Sequence, residues 1–219
     1  MAHAPAPVAF VLAVSAAVLI ALVGPLLLFD PWYVAAGQAR ADVPARLATS
    51  QPEVDRVTGQ VLADIWLGGD FAVSVDGSSP LLTEAERSHM RDVSSFVRLL
   101  GVIALAAAVV LLGCLLALRR ERRRIGALLL TAASGVGLAA VLIGLLFAVA
   151  FEPTFLAFHE IFFSQGNFLF GPDSNLLRLF PEPFWIEASL VAGGTIVVTA
   201  LAVAAIGWRL LRRPASSAA

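Results

Sequence analysis

Four stretches of the chain, residues 8–29, 99–118, 125–151 and 188–208, contain no Asp, Glu, Arg, Lys or His. At a rise of about 1.5 Å per residue, each is long enough as a helix to cross a hydrocarbon core of about 30 Å. Lipid offers the backbone no hydrogen bonds, so only a helix or a closed barrel can span it. Uninterrupted apolar runs of this length match the helix, because barrel strands alternate. The first stretch exceeds the apolar region of about 7–15 residues found in signal peptides, and no Arg precedes it. It is therefore expected to remain as a span. Composition leads the same way. Apolar side chains make up 59% of the chain and charged ones 14%, against about 25% charged in soluble proteins. The expected fold is mainly α: a polytopic membrane protein, a four-transmembrane-helix bundle with a small α+β extracytoplasmic cap.

The same numbers exclude several function classes. A net charge of −1 provides no basic face for nucleic acid. The single cysteine, Cys114, removes disulfide frameworks, thiol redox pairs and Cys-based metal sites. Deep in the second span, it is expected to act as a small hydrophobe. No Walker loop, dinucleotide fingerprint, HExxH or GxSxG motif is present.

All 15 basic residues are Arg, and eight of them fall in two short segments: Arg119, Arg120, Arg122, Arg123 and Arg124, then Arg209, Arg212 and Arg213. Of the 16 acids only Glu121 joins them. The positive-inside rule places such segments in the cytoplasm. Residues 119–124 and 209–219 are thus expected inside, with both termini cytoplasmic and residues 30–98 and 152–187 outside. In the third span Ala133, Gly137, Ala140 and Gly144 recur at the small-residue spacing that lets membrane helices approach closely.

The first outer segment has the pattern of a folded cap. Ser50 with Pro52 and Glu53 marks a helix start, and Val54, Val57, Val61 and Ile65 repeat on one face. Phe71, Val73 and Val75 alternate into Asp76-Gly77, which predicts a short strand and turn. Thr83 and Glu86 have capping-box spacing for a helix through His89 that leads into the second span.

Three histidines are present. His3 is terminal and expected to be solvated. His89 has Asp92 three residues on, within reach on a helix, where a carboxylate can hold an imidazole. Its plain alternative is a polar residue on an interfacial helix. His159 lies in Phe155-Leu156-Ala157-Phe158-His159-Glu160-Ile161-Phe162-Phe163, followed by Asn167, Phe168 and Phe170. A segment this aromatic suits a re-entrant or interfacial position, and the plain alternative is an aromatic belt carrying an incidental histidine. A neutral imidazole can take a proton near pH 7. Acyl chemistry also needs oxyanion donors, for which Asn167, Arg91 and loop N–H groups are available. Ser88 and Ser164 are nucleophile candidates only by proximity, so direct transfer assisted by histidine is favoured over a covalent serine route.

The blocks Thr83-Glu84-Ala85-Glu86-Arg87-Ser88-His89-Met90-Arg91-Asp92-Val93 and Phe158-His159-Glu160-Ile161-Phe162-Phe163, with Asn167 and Leu176-Leu177-Arg178-Leu179-Phe180-Pro181, resemble the lipoprotein intramolecular transacylase family. Its members are four-span bacterial membrane proteins. The resemblance implies an enzyme of the bacterial cytoplasmic membrane that moves the sn-2 acyl chain of a diacylglyceryl-cysteine lipoprotein onto the α-amino group of the same cysteine. It implies no cofactor and no metal. His159 and His89, with Asp92, would be catalytic. Asn167, Arg91, Phe158, Phe162 and Phe163 would contact the substrate, the diacylated lipoprotein N-terminus, among membrane lipids. Phe168 stands where the family pattern often has Trp, and Asn175 where it often has an acid.

Two other readings compete. One is a non-catalytic assembly or partner-binding membrane protein. The other takes His89 and His159 as haem ligands, or as metal ligands completed by Asp92, Glu160 or Asp173.

Overall fold

The computed structural model describes residues 6–75, 77, 79–163, 166 and 168–212. Among them nine helices follow in order: α1 (Ala6–Leu27), α2 (Pro31–Arg40), α3 (Val43–Arg46), α4 (Gln51–Leu67), α5 (Glu84–Ala117), α6 (Arg122–Val149), α7 (Phe151–Phe162), α8 (Asn175–Leu179) and α9 (Glu182–Arg212). Four are long and apolar enough to cross a membrane, over Pro7–Leu27, Glu84–Ala117, Arg122–Val149 and Glu182–Arg212. Two of these extend well past the expected apolar stretches. α5 begins 15 residues before Leu99, because Thr83 and Glu86 start it in a polar segment. α9 begins at Glu182, immediately after Pro181.

The chain divides into two compact units. One comprises Met1–Pro25, Val102–Ile143 and Gly193–Ala219. Its interior is aliphatic and small: Leu12, Ala16, Cys114, Leu118, Ile125, Leu129 and Ala132 form one cluster. Ile20, Ala133 and Ala200 form another. Cys114 is the buried free thiol expected. Close approach without a hydrophobic drive depends on small residues, and the structure uses some of those predicted. A Cβ on Gly137 would come within 3.2 Å of Ala200 Cβ, whereas Gly144 has nothing within 4 Å. The tightest crossing was not anticipated. A Cβ on Gly126 would stand 2.6 Å from the carbonyl oxygen of Gly207, so α6 and α9 meet backbone to backbone there.

The second unit comprises Leu26–Gly101 and Gly144–Ala192. The α4 stripe Val54, Val57, Val61 and Ile65 is buried as its periodicity requires. It packs with Val34, Val43, Phe71, Val73, Leu82, Met90, Val97, Leu176, Leu179 and Phe184 in a single core. Ser50 does occupy the N-cap of α4, with extended backbone, but its side chain makes no capping hydrogen bond. Gly68 closes α4 at φ +76°, donating its N–H to Asp64 O.

The expected α+β character of this cap is not found. No strand forms among the described residues; there is one isolated antiparallel bridge, Ser74 to Pro80. The reason lies at Phe71. Its backbone is left-handed, at φ 60°, which breaks extended structure before it begins. The ring is fully buried, and Asp64 accepts a hydrogen bond from the Phe71 N–H at 2.9 Å. The alternating residues are therefore anchors of a loop pressed into a helical core. Asp76, half of the expected turn, lies outside the described residues.

Buried polar contacts join these short helices. Gln38, 0% exposed, donates from Nε2 to Leu179 O at 2.9 Å and accepts from Thr58 Oγ1 at 2.9 Å. α2, α4 and α8 are thus linked through a single amide. At the rim, Arg40 makes a two-pronged ion pair with Glu187, one arm at 3.0 Å. Substituting Gln38→Met is expected to leave a buried hydroxyl and a buried carbonyl unpaired, at about 1–3 kcal/mol each. A lower midpoint of thermal unfolding in detergent is the expected reading.

Candidate active site

His89 is placed by its helix start. Thr83 N–H donates to Glu86 Oε2 at 2.7 Å, and Glu86 N–H donates to Thr83 Oγ1 at 3.3 Å, the reciprocal capping box. The other carboxylate oxygen does something the spacing did not announce. Glu86 Oε1 accepts from Leu176 N–H at 2.9 Å and from the Ser174 hydroxyl. Ser174 in turn caps α8, accepting from Leu177 N–H at 3.2 Å. A buried carboxylate needs such a full set of donors, and Glu86 has one. It pins the first turn of α5 to the segment entering α8. Ser94, five residues beyond His89, donates to Ile65 O at 2.7 Å and holds α5 to the end of α4.

His159 is placed by an aromatic ladder. Phe147, Phe151, Phe155 and His159 follow at intervals of four residues, with successive ring centroids 6.1, 5.2 and 4.3 Å apart. Phe151, Phe155 and His159 share one face of α7, and Phe147 joins them from the end of α6. The same spacing brings Nδ1 of His159 to 2.8 Å from Phe155 O. A carbonyl only accepts, so Nδ1 carries the hydrogen, and in the neutral ring Nε2 holds the lone pair.

The two histidines, 70 residues apart, come together. Their rings stack with centroids 5.9 Å apart and planes 28° apart. Phe163 touches both, at 5.2 Å from His89 and 5.5 Å from His159. Phe158 lies edge-on to His159 at 5.4 Å. Phe168 adds a contact to His159 at 5.3 Å, and Phe170 one to His89 at 5.7 Å. His89 is buried, at 6% exposure, and its Nδ1 is out of contact with water and without a hydrogen-bond partner. His159 is half-buried. Burial pushes the His159 imidazole below its ordinary value, an effect the Phe155 carbonyl partly opposes.

The other candidates are placed unevenly. Phe162 packs on Phe96 of α5 at 4.9 Å and on Phe158 at 5.0 Å, with much of its ring exposed. Asp92 is half-buried one turn beyond His89, and any tie between them does not use Nδ1. Arg91 donates to Glu84 at 2.6 Å, so part of its guanidinium serves that pair. Asn167 and Ser164 lie outside the described residues, as do His3 and Arg213. Phe155, Phe96, Phe168 and Phe170 were not foreseen as parts of the site. Spacing could have found two of them, since Phe155 is four before His159 and Phe96 seven after His89.

Among the described residues no three His, Cys, Asp or Glu side chains converge in a way that could hold a metal ion. What the arrangement offers is a proton acceptor and a second imidazole in a water-poor aromatic cage.

The four apolar helices define a multi-pass membrane protein, in which His89 and His159 stack on each other. Residues 9–185 match the family described as lipoprotein intramolecular transacylase Lit, and the chain belongs to that family. The fold is similar to the solved structure of the membrane-integral lipoprotein intramolecular transacylase Lit from Bacillus cereus. That match has a TM-score of 0.82 and 17% identity, covering 94% of each chain. A structure of the same Bacillus cereus protein with one histidine replaced by alanine matches with a TM-score of 0.75 and 17% identity, over 94% of this chain and 92% of that one. No curated protein matches the chain in sequence.

Replacing Glu86 by Ala is expected to strand the buried Leu176 N–H and the Ser174 hydroxyl, at about 1–3 kcal/mol each. Faster hydrogen exchange at the Leu176 amide, together with earlier unfolding, is the measurable result.

Proposed function

We propose that this protein carries out the acyl transfer of its family at the His89–His159 pair, on the N-terminus of a diacylated lipoprotein in the bacterial cytoplasmic membrane. The observation that carries the reading is the pinned tautomer of His159, stacked on a buried second imidazole among phenylalanines. Nε2 of His159 takes a proton from the cysteine α-ammonium. The freed amine attacks the sn-2 ester carbonyl, an N–C bond forms, and the C–O bond to glycerol breaks. The imidazolium gives its proton to the departing glyceryl oxygen, and the proton that the nitrogen loses as it becomes an amide is taken by the Nε2 so freed and passes on to water. Amine and ester belong to one molecule, so proximity is already provided and modest proton transfer suffices.

His89 acts as the second group. Its unpartnered Nδ1 supports a hydrogen bond to the oxyanion of the tetrahedral intermediate. Asp92 orients that imidazole or stabilises its charged form. Arg91 and Asn167 contribute polar contacts to the substrate, and Phe158, Phe162 and Phe163 line its acyl chains. Both Arg-rich segments face the cytoplasm, which puts the histidines on the outer side with residues 30–98 and 152–187. The lipid-linked substrate waits on that side.

Mass spectrometry of lipoprotein N-terminal peptides, from a host lacking its own N-acyltransferase, tests this. Expression of the chain should move one acyl chain from glycerol to nitrogen, and His159→Ala should abolish the shift. N-acylation undiminished in that variant would remove His159 from the mechanism. The pH dependence follows from the depressed imidazole. A base works only while neutral, and His159 stays neutral to lower pH than a free histidine. The acid limb of the rate profile is therefore expected below the ordinary value of about 6.5.

A further inference from the structure

The C-terminal tip of α4 presents Trp66, 41% exposed, and Leu67, 82% exposed, side by side. The rest of the helix behaves as a cap helix, with its apolar stripe buried and its other face polar. Two contacts within this unit hold the tip. The Trp66 indole meets Phe29 edge to face, with centroids 6.3 Å apart and planes at 81°. It also lies against Gly101, where a Cβ would come within 3.4 Å of Cζ3. Phe29 ends the first apolar stretch, and Gly101 is the third residue of the second, which opens at Leu99. The indole therefore stands where two spans pass from polar to apolar surroundings. Beside it, the Arg98 guanidinium lies over Gly68, where a Cβ would be 2.7 Å from its nearer nitrogen. No carboxylate among the described residues pairs with Arg98.

We propose that this tip is a membrane anchor: Trp66 and Leu67 enter the boundary between headgroups and acyl chains, and Arg98 meets a phospholipid phosphate. Each part suits that layer. An indole is apolar with one N–H donor and settles at the interface. Leu67 gains burial that the protein does not provide. A guanidinium is fitted to phosphate, and its aliphatic stem can lie along an apolar helix. The Ser94–Ile65 hydrogen bond joins this tip to α5, about three turns from Gly101 to His89, so the anchor sets the depth of that histidine. The occupant is the bilayer that the spans cross.

Trp66 can be read alone after Trp32, Trp185 and Trp208 are changed to Phe, in proteoliposomes whose lipids carry bromine near the carbonyl end of the acyl chains. Blue-shifted emission, quenched by those lipids and shielded from aqueous iodide, is expected. Emission quenched by iodide and unaffected by brominated lipid would overturn the proposal. Trp185 packs among Phe155, Phe180 and Phe184, so a milder variant is run beside it. Cys114 is the sole cysteine, and Leu67→Cys with Cys114→Ala takes a nitroxide label at an exposed position. Relaxation of the label should respond more to oxygen than to a water-soluble nickel chelate. The reverse order would overturn the anchor equally.

Discussion

Hydrocarbon does not tolerate unpaired charge, and almost every feature of this protein follows from that exclusion. It forces the backbone into helices wherever lipid surrounds it. It leaves one unit with an interior of Leu, Ala and Ile, where tight contacts depend on glycine pairs such as Gly126 and Gly207. The buried ionisable side chains Glu86 and His89 lie in the other unit, where they can find hydrogen-bond donors or a second imidazole.

Within that second unit, stability and site geometry share the same buried polar groups. Small helices such as α3 and α8, of four and five residues, cannot persist alone. Gln38 and Glu86 hold α8, satisfying its Leu179 carbonyl and its Leu176 N–H. Glu86 has the further effect of ordering the turn that carries His89. A carboxylate used this way is costly to bury and more costly to disturb, because every donor around it was desolvated on its behalf.

The aromatic cage gives the histidines their chemical character. Phenylalanine rings supply bulk and exclude water without offering a competing acceptor. A ring so enclosed resists protonation, and the backbone carbonyl of Phe155 decides which nitrogen bears the hydrogen. An imidazole held neutral in one orientation is what the proposed proton transfer requires. A metal reading asks for further ligands near the pair, and no group of three His, Cys, Asp or Glu side chains forms among the described residues.

Patterns repeated along one element were legible directly. The apolar stretches, the α4 stripe and the capping box at Thr83 and Glu86 are local, and local spacing decides them. The two histidine blocks were also legible as marks of the family to which the chain belongs. The strand at Phe71–Val75 was misread, because alternation records which residues are buried and not what buries them; a left-handed Phe71 and a helical core made it a loop. Which partners meet across the chain was settled only in three dimensions. The 5.9 Å approach of His89 to His159, the second pair of bonds at Glu86 and the Gly126–Gly207 crossing join residues 70 or more apart. Those pairings arise from packing several elements at once, and no spacing within a single helix encodes them.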